Sequence, residues 1–533
     1  MALFPFVADW VVLAVTAFVL LYLYAARNRN FWKNQDVVHE KFSLIVGPAK
    51  RLLFEPICLS DQARYRKMGR LFGIYEGGKP CLVVAEPDLV KQVLVKDFQL
   101  LPNRTLTSTG DAIFDNMMAL TRIETWRRIR PAVSPAFSTG KLRKMNTLIQ
   151  ECARVTCEHL KVAAEKEDDV DVKQFYGHYS LDVIASCAFG TKLDSHTDAT
   201  NEFVTQARNA FSARMTWKVL LALLFPGVLK FLRLTIARTG PAKYFNEVSQ
   251  RIVRERREHG TRQEDFLQLM IDAQEGNLAS SGEPMFEPED RIFDVGSEVK
   301  AKQDAASSTK RLTEVEAMAQ CVLFFLAGLE TTSSTLAFAA YHLALNPGVQ
   351  EKLRKEVDEC MALHGPEPSL DVISKLKYLH CVVSEILRLY PPAQRIQRFA
   401  LDDYVLGETG IKLPKDCPVY VPVYAMHRDP EIFPDPDNFV PERFSDANVD
   451  AIKPYSYLPF GAGPRNCVGM RLALQSVKLC LIHSVHNVRF VRTEKTKVPV
   501  KIKIGFGVLT AEEFTVGIRT RSTPQSSGQV NAD

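Results

Sequence analysis

Between Thr313 and Pro347 the chain carries one uninterrupted helical pattern. It opens on Thr313-Glu-Val-Glu316, the Thr-x-x-Glu of a capping box. No proline follows until Pro347. At a rise of 1.5 Å per residue such a helix is roughly 50 Å long, enough to cross a whole domain. This predicts a large, mainly helical body. With 533 residues, 46% of them hydrophobic and 24% charged, the chain can build the core it needs. In the middle of the helix lies Ala327-Gly-Leu-Glu-Thr-Thr332. A glycine there costs about 1 kcal/mol relative to alanine, and two adjacent threonines add strain. The string predicts a local widening of the helix, which often marks a function. Taken alone, it is better explained by close helix packing.

A second constraint is Phe460-Gly-Ala-Gly-Pro-Arg-Asn-Cys467-Val-Gly469, a glycine-rich loop ending in one cysteine. A helical pattern follows at once from Met470 to His486. A cysteine at a helix entrance has its thiolate stabilised by the helix dipole and free backbone N–H groups. The glycines let the backbone pass close to something bulky, and Arg465 adds a permanent cation. No second Cys or His stands at chelate spacing, so the thiolate is a candidate single axial ligand and not part of a zinc cage.

Two further groupings carry charge inward. Trp126 and Arg130 are four apart and share a helix face. An indole N–H beside a guanidinium suits a buried carboxylate or phosphate; a solvated basic face is the alternative. Glu385 and Arg388 are three apart amid Cys381, Val382, Val383, Ile386 and Leu387, which predicts a buried pair with Arg443 as its third member.

The remaining stretches bear on compartment and partners. Net charge is 67 − 62 = +5, too mild to argue for nucleic acid and compatible with an acidic partner or an anionic membrane surface. Eleven scattered cysteines predict reduced thiols in the cytosol. The apolar run Trp10 to Ala26 is extended by Phe4 to Ala8 across Asp9 and followed by Arg27, Arg29 and Lys33. It predicts a retained membrane anchor with the body in the cytosol; a cleaved signal is the alternative. Phe72 to Ala85 reads as two strands around a Gly77-Gly78 turn, and Val405-Leu406 and Val419 to Val423 as strands lining a pocket. Val219 to Leu232 is strongly apolar, either core or a channel lip. Asn103-Arg-Thr105 is formally a glycosylation sequon, unused if it faces the cytosol.

The cysteine loop resembles the haem-binding loop of the cytochrome P-450 family, whose cysteine thiolate ligates haem iron. The resemblance runs from the anchor to about Arg519. It implies a mainly α fold with a small β-rich region, preceded by an N-terminal transmembrane helix. The domains would be a membrane anchor over 1–33 and a haem-thiolate catalytic domain over 34–521, with a flexible insert at 276–311 and a disordered tail at 522–533. The cofactor would be haem b, with Cys467 as metal ligand. Arg104, Trp126, Arg130, Arg395, Phe460 and Arg465 would bind it, Trp126, Arg130, Arg395 and Arg465 at the propionates. Glu330 and Thr331 would deliver protons for oxygen activation, and Gly328 would leave room over the iron. Arg127, Arg128, Lys141, Arg143 and Lys144 would stay outside, free to meet an acidic electron donor.

The implied activity is that of a monooxygenase of the endoplasmic reticulum membrane. It would act on a hydrophobic small molecule with electrons from NADPH-cytochrome reductase, and cytochrome b5 as a second donor. Strings such as Asp182-Val-Ile-Ala-Ser-Cys-Ala-Phe-Gly190 are similar to thromboxane synthase and to microsomal drug-metabolising members. An endoperoxide isomerase that needs neither oxygen nor reductase is therefore the main alternative, and a non-catalytic haem sensor the second. Thr331 favours the monooxygenase, since the isomerase lacks that threonine.

Overall fold

The computed structural model describes residues 4–43, 53–76, 78–105, 108–198, 200–211, 239–263, 265–276, 292–293, 295–296, 311–505 and 507–521. The expectations for Val219 to Leu232, most of 276–311 and the tail from 522 lie outside these residues. The principal elements in chain order are α1 (Phe4–Ala26), β1 (Leu71–Glu76), β2 (Lys79–Val84), α2 (Ile123–Val133), α3 (Thr139–Glu165), β3 (Asp169–Asp171) and α4 (Val172–Phe189). Then come α5 (Phe266–Glu275), α6 (Glu314–Leu345), α7 (Pro347–His364), α8 (Lys377–Leu389), β4 (Ile396–Phe399), β5 (Pro418–Val421), α9 (Met470–Asn487), β6 (Val488–Val491) and β7 (Thr515–Thr520). The body is mainly helical with small sheets, as the long proline-free pattern predicts.

The helix α6 is the axis of the core. Its capping box forms in full: Glu316 N–H donates to Thr313 Oγ1 at 3.3 Å and Thr313 N–H to Glu316 Oε2 at 2.8 Å. The expected widening at Ala327–Thr332 is absent, and the helix is regular throughout. The hydroxyls there turn back onto their own helix, Thr331 onto Ala327 O at 2.7 Å and Ser333 onto Leu329 O at 2.7 Å, which absorbs the polar groups without breaking the ladder. A widened, π-type turn occurs instead at Gln92–Lys96. Gly328 serves packing: a Cβ there would lie 2.7 Å from Ile184 Cδ1, so glycine is what lets α4 lie against α6.

One sheet has the order β1-β2-β5-β4. The β1–β2 hairpin forms where the sequence places it, from Leu71↔Val84 to Glu76↔Lys79. β5 is parallel to β2, and β4 is antiparallel to β5 with Arg398 opposite Val419. A second sheet has the order β3-β7-β6. The Val405 strand spans Tyr404–Val405 and pairs with Lys412–Leu413 away from the large cavity.

The predicted ionic support is present. Glu385 and Arg388 are fully buried, and the carboxylate accepts from Arg388 Nε at 2.7 Å and Nη2 at 2.8 Å. Arg443 Nε lies 3.4 Å from Glu385, and Val440 N–H donates to the same carboxylate at 2.9 Å. Arg388 also donates to the carbonyls of His427, Pro436 and Asn438. Every face of this pair therefore has a partner, the condition under which a buried ion pair is tolerated.

Around the periphery, α1 leaves Trp10, Leu13, Phe18 and Tyr24 more than half exposed. Among the described residues, the helix long and apolar enough to cross a membrane is α6, and it is the core of the body. Asn103 is buried and its Oδ1 accepts from Ile123 N–H at 3.0 Å, which withdraws the sequon from modification. None of the eleven cysteines is in a disulfide.

Candidate haem site

A cavity of about 790 Å³ lies between the cysteine loop and α6. Cys467 opens onto it. It is the one exposed cysteine of the eleven, whereas burial pushes thiols such as Cys58, Cys152 and Cys417 up to about 12. The loop is closed by Cys467 N–H donating to Phe460 O at 2.9 Å. It is pressed close to its neighbours: Gly463 has φ +69°, and a Cβ there would lie 2.3 Å from Leu94 O. Three residues after the cysteine, α9 begins at Met470.

One flank of the cavity is cationic. Arg130, from α2, donates through Nη1 and Nη2 to Asn466 O and Oδ1 at 3.0 and 3.1 Å. Arg104 Nη2 donates to Arg465 O. Arg465 donates from Nη2 to Thr121 O at 2.9 Å and sits 5.0 Å from the Trp126 ring. Its Nε and Nη1 are buried without a partner, as is Nε of Arg398. Burial, with Arg104 and Arg130 nearby, brings Arg465 down to about 9. Burial and the charges of Arg104 and Arg465 likewise depress Arg398 strongly. Crowded guanidinium groups with unused N–H donors facing one cavity call for an anionic ligand with several acceptor oxygens. The two carboxylates of a haem fit this demand, with the thiolate of Cys467 at the same wall.

The opposite wall is apolar. Phe324 of α6 stacks on Phe266 at 4.5 Å and meets Phe137 at 5.8 Å. Leu323, Ala327 and Ile184 continue the wall. Thr331 lines the cavity with its hydroxyl on Ala327 O.

Three expectations need correction. Arg395 lines the same cavity, but its guanidinium is already matched by acids. Its guanidinium lies on Asp61 at 2.7 and 2.8 Å and on Glu76 at 3.2 Å, over the Tyr420 ring. Arg398, three residues on and not singled out from the sequence, takes the place on the cationic flank. Glu330 does not line the cavity; its carboxylate pairs with Lys173 of α4 at 3.1 Å. Burial lowers Lys173 and Glu330 opposes that shift, so the pair holds α4 to α6. Arg128 is not free for a partner: it donates to the capping carboxylate of Glu316 at 2.6 Å. Arg143 is paired with Asp371 at 3.0 Å and Arg127 reaches Gln99. Trp126, Arg130, Phe460, Arg465 and Arg104 all line the cavity.

A family model described as Cytochrome P450 matches residues 44–515. Cytochrome P450 3A14 of Cavia porcellus is 35% identical over 507 residues, covering 92% of this chain and 93% of its own length. Cytochrome P450 3A27 of Oncorhynchus mykiss is 35% identical over 449 residues, covering 83% and 81%. Cytochrome P450 3A7 of Homo sapiens is 34% identical over 523 residues, covering 97% of each chain.

Proposed function

The chain belongs to the cytochrome P450 family of haem-thiolate monooxygenases, and on that premise we propose that Cys467 is its axial thiolate. The observation that carries this is the single exposed cysteine on a cavity whose flank holds buried guanidinium nitrogens of Arg465 and Arg398 without a partner. Bound there, haem supplies the redox centre, and a thiolate ligand favours cleavage of the O–O bond.

The protein's own residues do the rest. Arg465, Arg398, Arg104 and Arg130 would hold the propionates by charge-assisted hydrogen bonds, with Trp126 against Arg465. Thr331 holds a hydroxyl proton at the cavity wall and exchanges its bond to Ala327 O for one into the cavity by rotation about χ1. Glu330 keeps α6 in place through Lys173. The aromatic wall around Phe324 excludes water and selects a hydrophobic substrate. Residues 1–33 anchor the body, 34–521, to the endoplasmic reticulum membrane, and a flavoprotein reductase delivers electrons from NADPH.

The test is spectroscopic. The reduced protein with carbon monoxide gives a thiolate-type band that Cys467→Ser abolishes; a band surviving that substitution would overturn the ligand assignment. NADPH consumption with reductase and an apolar substrate separates a monooxygenase from a haem sensor. Rapid turnover of a prostaglandin endoperoxide without NADPH would instead establish the isomerase.

A further inference from the structure

The stretch between α5 and α6 does something its composition hides. Its two ends meet: Leu312 N–H donates to Ala273 O at 3.2 Å, and a Cβ on Gly276 would lie 2.6 Å from Arg311 Nε. The two helices are thus already joined at a neck, and the residues between are not needed to span a gap. Among Ile292, Phe293, Val295 and Gly296, Phe293 and Val295 reach the cysteine loop and the other two flank them.

Phe293 is 1% exposed. Its ring meets Phe460 edge-on at 5.5 Å and 83°, and lies 5.4 Å from His380 and 5.8 Å from Tyr457. Val295 O accepts from Gly463 N–H at 3.1 Å. Gly296 has φ +84°, and a Cβ there would fall 2.8 Å from Val95 Cγ2, so only glycine seats this turn. The cysteine loop is therefore held between Leu94 on one side and Val295 on the other. Phe460, the residue that Phe293 packs on, is the residue whose carbonyl accepts from Cys467 N–H.

We infer that these four residues form an intramolecular clamp on the thiolate loop, with Phe293 and Val295 as positioning residues that act on Cys467 through Phe460 and Gly463. The inference rests on the reading of Cys467 as the haem ligand. Groups that orient a metal ligand tune the metal and its retention, so the clamp sets the reduction potential and the persistence of the thiolate bond. Its packing against the loop also keeps water from the ring of Phe460.

The experiment uses the full-length haem-loaded protein and three variants, Phe293→Ala, Phe293→Leu and Gly296→Val. The first removes the ring, the second keeps apolar bulk, and the third displaces the turn without altering the cysteine loop. The readouts are the ferric–ferrous potential and the rate at which the thiolate-type carbon monoxide band decays on warming. F293A and G296V shift the potential in the same direction and speed the decay several-fold; F293L falls between F293A and the unmutated protein. If F293A does not fold, F293L and G296V carry the comparison. A merely structural role would lower thermal stability and leave the potential of the folded fraction unchanged, and that result would overturn the clamp. A thiolate-type band present in the unmutated protein but indifferent to all three substitutions sinks the clamp alone. No such band in the unmutated protein sinks the ligand reading with it.

Discussion

Two groups of buried arginines stand in this molecule and are treated in opposite ways. Arg388 has a carboxylate on two of its nitrogens and backbone carbonyls on its Nη1 and Nη2 donors, with no exposure at all. Arg465 has one carbonyl for Nη2, two buried nitrogens without a partner, and other guanidinium groups as neighbours. Both are costly to bury. The first cost is met inside the protein, which marks Arg388 as part of the fold. The second is left open toward a cavity, which marks Arg465 as part of a binding site. A buried arginine's role is thus read from what its N–H groups lack.

This contrast can be broken at its strong end first. Glu385→Ala leaves Arg388 charged and uncompensated in the core and costs about 3–5 kcal/mol. Denaturant unfolding, or the loss of folded protein with and without haem, measures it; a variant as stable as the parent would dissolve the distinction. Arg465→Ala has the reverse signature. Haem retention falls by roughly tenfold to a hundredfold, the worth of a charged hydrogen bond. The haem-free protein keeps or gains stability, because an unmatched charge has left the interior. Haem transfer to an acceptor protein and unfolding of the haem-free form give the two numbers.

The next test sharpens the assignment within one strand. Arg398→Gln lowers haem retention about tenfold, while Arg395→Gln leaves retention unchanged and disturbs the Asp61 and Glu76 contacts instead. Equal losses from both would return Arg395 to the propionates. The smallest effect belongs to Arg443→Ala. Its guanidinium is the outer member of the triad, 3.4 Å from Glu385, and its removal costs about 1 kcal/mol or less in denaturant midpoint.

What could be read from the sequence follows the range of the interactions. The capping box of α6, the hairpin of β1 and β2 and the Glu385–Arg388 pair are made by residues within a few positions of each other, so local spacing reveals them. The cysteine loop was legible because its glycines, its arginine and the helix after it are contiguous. Arg395 was assigned to the propionates from sequence without sight of its partner Asp61, which is 334 positions away. Where β4 sits depends on its pairing with β5, which no local pattern records. Arg128 was taken for a surface charge for the same reason, since Glu316 is 188 positions distant. Glu330 was drawn into the chemistry by its place beside Thr331, although consecutive helical residues point about 100° apart, and here Thr331 and Thr332 line the cavity while Glu330 turns to Lys173. The stretch 276–311 was expected to be a flexible insert, and nothing in its local sequence shows a single phenylalanine anchored elsewhere.

The neck between Ala273 and Leu312 has a consequence for how this chain can vary. Once the two ends touch, lengthening the segment between them costs only loop-closure entropy, about 0.6 kcal/mol for each doubling. Residues can be added or lost there with little change in the stability of the helices on either side. The length of this segment is therefore among the least constrained quantities in the protein, while the few residues that touch the cysteine loop are among the most.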